Sequence, residues 1–155
     1  MNRKKLLQNA ISWLLIYLSA ILVKYRIGNL GYLNLSDAFI ITVLADEPII
    51  GLLIAGSASA AGDITLSYGY YSFATFLIKG TEGWLICQGQ KRKINTIWTS
   101  LLALAVMIIG YGISDVIMFG AAMLKTSLLY NAIQAAAAFA VGSLLRILLD
   151  RLSRK

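Results

Sequence analysis

The chain has 155 residues, of which 59% are hydrophobic and 14% are charged, and its mean hydropathy is +0.75. Soluble domains are typically about 45–50% apolar and about 25% charged, so this composition predicts a protein whose surface mostly faces lipid. The absence of histidine excludes histidine-based metal sites and acid–base catalysis, and a single cysteine excludes an internal disulfide. We predict one membrane-embedded domain over residues 1–155, with no metal and no cofactor.

The net charge of +7 is concentrated in three short basic clusters. They lie at residues 3–5, at residues 91–93 and among Arg146, Arg151 and residues 154–155. Positively charged connections mark the cytoplasmic side of a membrane protein, and attraction to anionic lipids is a secondary effect of the same charges. The clusters are short and lack interleaved aromatic residues, so nucleic-acid binding is not expected.

Apolar runs in chain order predict an all-α membrane protein with six transmembrane helices and both termini in the cytoplasm. A spanning helix needs about 20 apolar residues, and the second and third runs have only about 11–14. These two runs are either short helices extended by their flanking loops or a re-entrant hairpin. The first run also resembles a signal peptide, but its length favours a retained spanning helix. The predicted segments cover residues 6–23, 35–46, 48–61, 73–90, 94–119 and 128–149.

Polar residues interrupt the apolar runs mainly on one side of this topology. An ionisable side chain is costly inside a bilayer, so it faces other protein, an opposite charge or a water-filled cavity. Residues 28–34 are predicted to form an outer loop, and residues 63–72 a second, polar and aromatic one. The convergence of these groups predicts an outward-opening binding site. The residues placed in the outer half are Asn34, Asp37, Asp63, Asp115, Asn131 and Gln134.

Two further groups of residues allow a structural and a functional interpretation. Tyr68 and Tyr71 are either ordinary interfacial tyrosines or the wall of a binding pocket. Together with Tyr111, they could stack on a planar heterocycle. Lys79 and Glu82 are three residues apart and so share one helix face, where they either neutralise each other or line a cavity.

Four stretches of the sequence resemble a known family. They are Leu33-Asn-Leu-Ser-Asp-Ala, a small-residue helix ending in Ala61-Gly-Asp, the segment from Phe73-Ala-Thr to Lys79-Gly-Thr-Glu-Gly, and Asn131-Ala-Ile-Gln. Their order and spacing resemble the riboflavin-transporter-type substrate-binding (S) components of energy-coupling factor (ECF) transporters. The resemblance extends over about residues 31–149.

The resemblance implies a six-helix protein in a prokaryotic plasma membrane that binds a water-soluble vitamin or precursor from outside. It implies assembly with a transmembrane coupling subunit and two cytoplasmic ATPases. The chain itself has no nucleotide-binding Gly-x-x-x-x-Gly-Lys-Ser/Thr loop and is not expected to be an enzyme. By position, the family's ligand site would correspond to Asn34, Asp37, Asp63, Tyr71, Lys79, Glu82, Asp115, Asn131 and Gln134.

The first helix departs from the pattern that the resemblance implies. Such proteins often carry an Ala-x-x-x-Ala motif there for docking the coupling subunit. Here Leu14 follows Ala10 by four residues, and Ile16 follows Ser12 by four. The small residues Ala10, Ser12 and Gly51 remain the candidates for the docking surface.

High-affinity vitamin capture for ATP-driven uptake is the leading functional hypothesis. The excess of carboxylates favours a compact cationic or hydroxymethylated heterocycle, such as a vitamin B6 form or the hydroxymethylpyrimidine precursor of thiamine, with riboflavin as the alternative. A small membrane enzyme acting on lipid is a second class, with Asp37, Asp63 and Glu82 as acid–base groups. A channel or scaffold protein is a third class. It would explain an isolated Lys79–Glu82 pair but not the polar residues gathered at the outer loops.

Overall fold

The structure is a computed structural model that describes residues 3–27, 31–43 and 47–152. Within these residues the chain forms a bundle of α-helices and one β-hairpin, with short 3₁₀ turns at Gly69–Tyr71 and Ala121–Met123. The elements are α1 (Arg3–Leu22), β1 (Lys24–Ile27), β2 (Gly31–Asn34), α2 (Ser36–Ile40), α3 (Pro48–Thr65), α4 (Ser72–Lys91), α5 (Thr96–Phe119) and α6 (Leu124–Leu152).

Among the residues that the structure describes, four helices are long and apolar enough to cross a membrane. They are α1, α3, α5 and the stretch 121–149, which joins the second 3₁₀ turn to α6. At about 1.5 Å of rise per residue, the 20 residues of α1 extend about 30 Å, the thickness of a bilayer's hydrocarbon core. Helix α4 is equally long, but it carries two charged residues in its middle, Lys79 and Glu82.

The second predicted segment is only partly helical. Helix α2 has five residues, about 7.5 Å of helix, so it does not span a bilayer alone. Its hydrogen bonding continues as a turn in which the amide of Val43 donates to the carbonyl of Ile40 at 3.1 Å. Asp46, predicted at the end of this segment, lies outside the described residues. The predicted third segment corresponds to α3, which begins at Pro48, where the missing N–H leaves no helical hydrogen bond unmade.

Two segments predicted as loops contain regular secondary structure. Residues 28–34 were expected to be a loop. Residues 28–30 lie outside the described residues, but residues 31–34 form β2, which pairs with β1 as an antiparallel hairpin in which Lys24 lies opposite Asn34 and Ile27 opposite Gly31. The prediction was wrong there because strand pairing satisfies backbone groups that a loop would leave to water. Asp63 was expected to open a loop, whereas it lies inside α3, which continues to Thr65. We call the end of the bundle that carries β1 and β2 the hairpin end.

Helices α3 and α4 approach each other closely through a pair of glycines. A Cβ added at Gly51 would lie 2.7 Å from the Gly83 carbonyl oxygen, and a Cβ added at Gly83 would collide with the Gly51 carbonyl oxygen and lie 2.7 Å from the Ala55 Cβ. In lipid, where helices gain little from hydrophobic burial, small residues of this kind permit the van der Waals contact that holds helices together. This contact fixes the position of α4, which carries the charged residues described below.

Replacing Gly83 with alanine is expected to lower the stability of the protein by about 1–3 kcal/mol, because the added methyl group has no space between the two backbones. The measurement is thermal unfolding in detergent micelles followed by circular dichroism. Gly69→Ala is the control, since nothing lies within 4 Å of a Cβ at Gly69. Equal unfolding midpoints for the two variants would contradict the close helix packing.

Candidate ligand-binding site

A cavity lies at the hairpin end, between β2, α3, α4, α5 and α6. The volume open to the centre of a water molecule is about 80 Å³. The lining residues are Tyr32, Leu33, Asn34, Asp63, Tyr68, Tyr71, Thr75, Tyr111, Asp115, Met123, Thr126, Ser127, Tyr130, Asn131 and Gln134.

Two tyrosine–carboxylate pairs lie on the cavity wall. The Tyr32 hydroxyl donates to Asp63 Oδ1 at 2.7 Å, and the Tyr71 hydroxyl donates to Asp115 Oδ1. Burial, reinforced by the adjacent carboxylate, raises the pKa of Tyr32 and of Tyr71 well above the usual value for a phenol. Both phenols therefore keep their protons at neutral pH and hold the carboxylates in fixed orientations.

Asp63 keeps one oxygen available for a ligand. Its side chain is buried, and Oδ2 accepts no hydrogen bond of normal geometry from the residues that the structure describes, although Thr75 lies near. A buried acceptor without a donor costs about 1–3 kcal/mol, which a ligand N–H or O–H group could recover. Because Asp63 also lines the cavity, this oxygen is a candidate anchor for a bound molecule.

Aromatic rings form a continuous wall along one side of the cavity. The ring centroids of Tyr32 and Tyr68 are 5.1 Å apart, and those of Tyr71 and Tyr111 are 6.3 Å apart in an edge-on arrangement. Tyr70, which does not itself line the cavity, links the two pairs from outside it, with its centroid 6.0 Å from Tyr68 and 4.9 Å from Tyr71. Such a wall presents π faces and edges to a planar ligand, while the hydroxyl groups add polar contacts.

Helix α6 contributes amide and hydroxyl groups on its facing side. Asn131 Nδ2 donates to the Ser127 carbonyl at 2.9 Å and lies 3.2 Å from the Ser127 hydroxyl. Gln134 uses both ends of its amide. Its oxygen accepts from the backbone N–H of Asn34 at 3.0 Å, and its nitrogen donates to Asp37 Oδ2 at 2.7 Å. Gln134 therefore joins strand β2 to helix α2.

A buried ion cluster lies next to the cavity and further from the hairpin end along α4. Lys79 Nζ pairs with Asp37 Oδ1 and lies 3.4 Å from Glu82 Oε1. The three side chains are at most 1% exposed. The Lys79 ammonium also lies 5.3 Å from the centroid of the Tyr111 ring, which is part of the cavity wall. The ion cluster therefore contacts the cavity wall through Tyr111 but does not itself line the cavity.

The predicted site residues fall into two groups. Asp37, Lys79 and Glu82 form the ion cluster and lie outside the cavity lining. The predicted residues that line the cavity are Asn34, Asp63, Tyr68, Tyr71, Tyr111, Asp115, Asn131 and Gln134. Sequence spacing alone paired Lys79 with Glu82, whereas its closer partner is Asp37, 42 residues away.

Seven lining residues were missed in the sequence: Tyr32, Leu33, Thr75, Met123, Thr126, Ser127 and Tyr130. A periodic signal could have found two of them. Thr75 lies four residues before Lys79 on α4, and Ser127 lies four residues before Asn131 on α6, so each continues a polar stripe on one helix face. No comparable signal marks Tyr32, which reaches Asp63 only because β2 folds over α3.

The three docking candidates differ in accessibility. Ala10 is exposed on α1, and Ser12 is half-buried on the same helix. Gly51 is buried within the bundle against Gly83. Its membership of a docking surface stays a prediction, while its small size permits the α3–α4 contact.

Apolar helices of spanning length, together with a polar aromatic cavity near one end, define a membrane-embedded ligand-binding protein. The model of the family described as "ECF-type riboflavin transporter, S component" matches residues 1–151 of the chain. The chain therefore belongs to this family, the substrate-binding components of ECF-type transporters, as the resemblance in the sequence indicated. A search of curated proteins finds no match.

Proposed function

We propose that the protein is the high-affinity substrate-binding subunit of an ECF-type transporter and captures a compact, water-soluble vitamin or vitamin precursor from outside the cell. The observation that carries this proposal is the cavity itself. It combines an aromatic wall with two oriented carboxylates and the amides of Asn34 and Asn131. Ligand sites of this kind are mostly apolar, with a few convergent polar groups that set specificity.

The size of the cavity favours a small ligand. A volume of about 80 Å³ open to the centre of a water molecule suits one ring with a few polar substituents better than the three fused rings and sugar-alcohol chain of riboflavin. A vitamin B6 form or hydroxymethylpyrimidine is the preferred ligand on this ground. Riboflavin, which the family's description names, would require Tyr68, Tyr71 or the hairpin to move.

The charge of the site favours a ligand with donor groups. Asp63 and Asp115 are the carboxylates of the lining, and no lysine or arginine is part of that lining. The Lys79 ammonium is paired with Asp37 and lies behind Tyr111. A ring N–H, an ammonium or hydroxymethyl groups would therefore find acceptors here, whereas an anionic ligand such as a phosphate ester would meet like charge.

The remaining parts of the proposal concern topology and assembly. We propose that residues 1–155 form one unit with six membrane segments and both termini in the cytoplasm, which places the hairpin end outside. The basic residues 91–93, at the opposite end of α4, agree with that orientation. A transmembrane coupling subunit and two ATPases would supply the energy. The exposed face of α1 that includes Ala10 is the proposed docking surface.

Membrane enzyme activity has less support from the geometry. Asp37 and Glu82, two of the three acid–base candidates, are committed to Lys79 and do not line the cavity. Asp63 remains, but an acid–base mechanism needs a second group within hydrogen-bond reach of the reacting atoms. The Tyr32 phenol hydrogen-bonds to Asp63, but its raised pKa keeps it protonated at neutral pH and makes it a weak acid.

Isothermal titration calorimetry of the purified protein is the test of the proposal. The panel contains pyridoxine, pyridoxal, pyridoxamine, hydroxymethylpyrimidine, thiamine and riboflavin. We expect one of the compact single-ring compounds to bind most tightly, with riboflavin weaker by about tenfold or more because the cavity must open to admit it. Folded, monodisperse protein that binds none of the six compounds would refute the vitamin-capture proposal, and tightest binding of riboflavin would refute the preference for a small ring.

A further inference from the structure

A second depression lies on the outside of the bundle, between the hairpin and α6. About 210 Å³ of it is open to the centre of a water molecule. We call it the hairpin groove. Most of its lining is apolar. The lining residues are Val23, Lys24, Tyr25, Leu33, Asn34, Leu35, Ile133, Gln134 and Ala137.

The hairpin groove opens on the lateral surface of a membrane protein, which limits what can fill it. Val23 and Ile133 are about half exposed along it. Water has few hydrogen-bond partners on such a surface, and an empty groove would forfeit dispersion contacts along its whole length. The hydrocarbon chain of a lipid is the abundant molecule of matching chemistry.

Lys24 gives the lining of the hairpin groove a positive charge. Lys24 comes two residues after the end of α1, whose length matches the hydrocarbon core, so a bilayer spanned by α1 would place its ammonium at the membrane interface. Lys24 and Tyr25 are both exposed there. A lysine ammonium attracts the phosphate of a phospholipid, and an exposed tyrosine is a typical interfacial residue.

We propose that the hairpin groove is a binding site for one phospholipid, with an acyl chain along Leu35, Ile133 and Ala137 and the phosphate at Lys24. The site is distinct from the ligand cavity, but Leu33, Asn34 and Gln134 line both. The wall between lipid and ligand is therefore one residue thick. This lipid supports strand β2 from the outside, on the face opposite the ligand.

The test is native mass spectrometry of the full-length protein released from phosphatidylglycerol nanodiscs. The wild-type protein is expected to retain one phospholipid. Ala137→Trp fills the groove and is expected to abolish retention. Ala136→Trp is the matched control, because Ala136 is exposed on the same helix and lines neither the groove nor the cavity. Circular dichroism confirms that the variants compared are folded.

A second variant tests the proposed contact between Lys24 and the lipid phosphate, and it keeps the proposal testable if Ala137→Trp does not fold. Lys24→Gln is expected to reduce the fraction of lipid-bound protein about fivefold, the effect of losing one interfacial lysine–phosphate attraction. Folded wild-type protein without a retained lipid would overturn the proposal. So would equal lipid retention by Ala137→Trp and Ala136→Trp. A third outcome would also overturn it: a wild-type protein that is a dimer, and an Ala137→Trp variant that loses the dimer but no lipid. That result would assign the groove to a second copy of the chain.

Discussion

Replacing Lys79 with methionine is expected to destabilise the protein by about 3–5 kcal/mol, which corresponds to a fall of about 10 °C in the midpoint of thermal unfolding. Methionine preserves the length of the side chain but removes the ammonium, which leaves the buried carboxylates of Asp37 and Glu82 without their cation. Uncompensated charge in a buried site is among the largest single penalties in a protein. The measurement is circular dichroism during heating in detergent micelles at neutral pH.

Lys91→Met is the matched control for this prediction. Lys91 lies on the same helix and pairs with Glu47 at 2.8 Å, but both side chains are more than half exposed. Exposed pairs contribute about 0–1 kcal/mol, so the unfolding midpoint is expected to change little. Addition of Asp37→Asn to Lys79→Met is expected to restore part of the loss, because it removes the unpaired charge. A double variant no more stable than Lys79→Met would argue against charge as the cause.

Replacing Asp63 with asparagine is expected to weaken binding of the preferred vitamin by about 10- to 100-fold. The reason is that hydrogen bonds to a charged group contribute about 1.5–3 kcal/mol, more than those to a neutral amide. The asparagine still accepts a hydrogen bond from Tyr32 in the place of Asp63 Oδ1, so the shape of the cavity is retained. Titration calorimetry measures the effect, using the compound that binds most tightly to the wild-type protein.

Two comparisons separate a ligand contact at Asp63 from a structural role. Tyr32→Phe removes the donor to Asp63 but keeps the carboxylate, so it is expected to weaken binding less than Asp63→Asn. Glu47→Gln removes an exposed carboxylate outside the cavity and is expected to leave binding unchanged. Equal affinity of the wild-type protein and Asp63→Asn would remove Asp63 from the binding site and leave the second carboxylate, Asp115, as the anchor.

Polar stripes along single helices were visible in the sequence and have a direct physical cause. A helix repeats every 3.6 residues, so Tyr111 and Asp115 share one face, and Asn131 and Gln134 share another. The cost of burying polar groups in lipid implies that these faces turn inward. Convergence of the stripes on one cavity could be anticipated because alternate connections return the chain to the same side of the membrane.

The partner of each polar group could not be anticipated in this way. Periodicity shows which face of a helix is polar, but not which other element lies opposite. Lys79 has an obvious neighbour in Glu82, yet packing of α2 between α4 and α6 brings Asp37 closer. Residues 31–34 have no helical or strong strand pattern, so their pairing with β1, which brings Tyr32 to Asp63, also escaped prediction.

The lipid environment, the helical class and most of the cavity residues could thus be predicted from composition, charge clusters and helical periodicity. These are local or averaged properties of the sequence. Tertiary structure alone decided that Asp37, Lys79 and Glu82 form a buried cluster beside the cavity lining, and that Asp63 Oδ2 has no hydrogen-bond donor of normal geometry among the described residues. These outcomes depend on distances between segments far apart in the chain. The packing of the helices sets those distances. The close contact between Gly51 and Gly83 is one example.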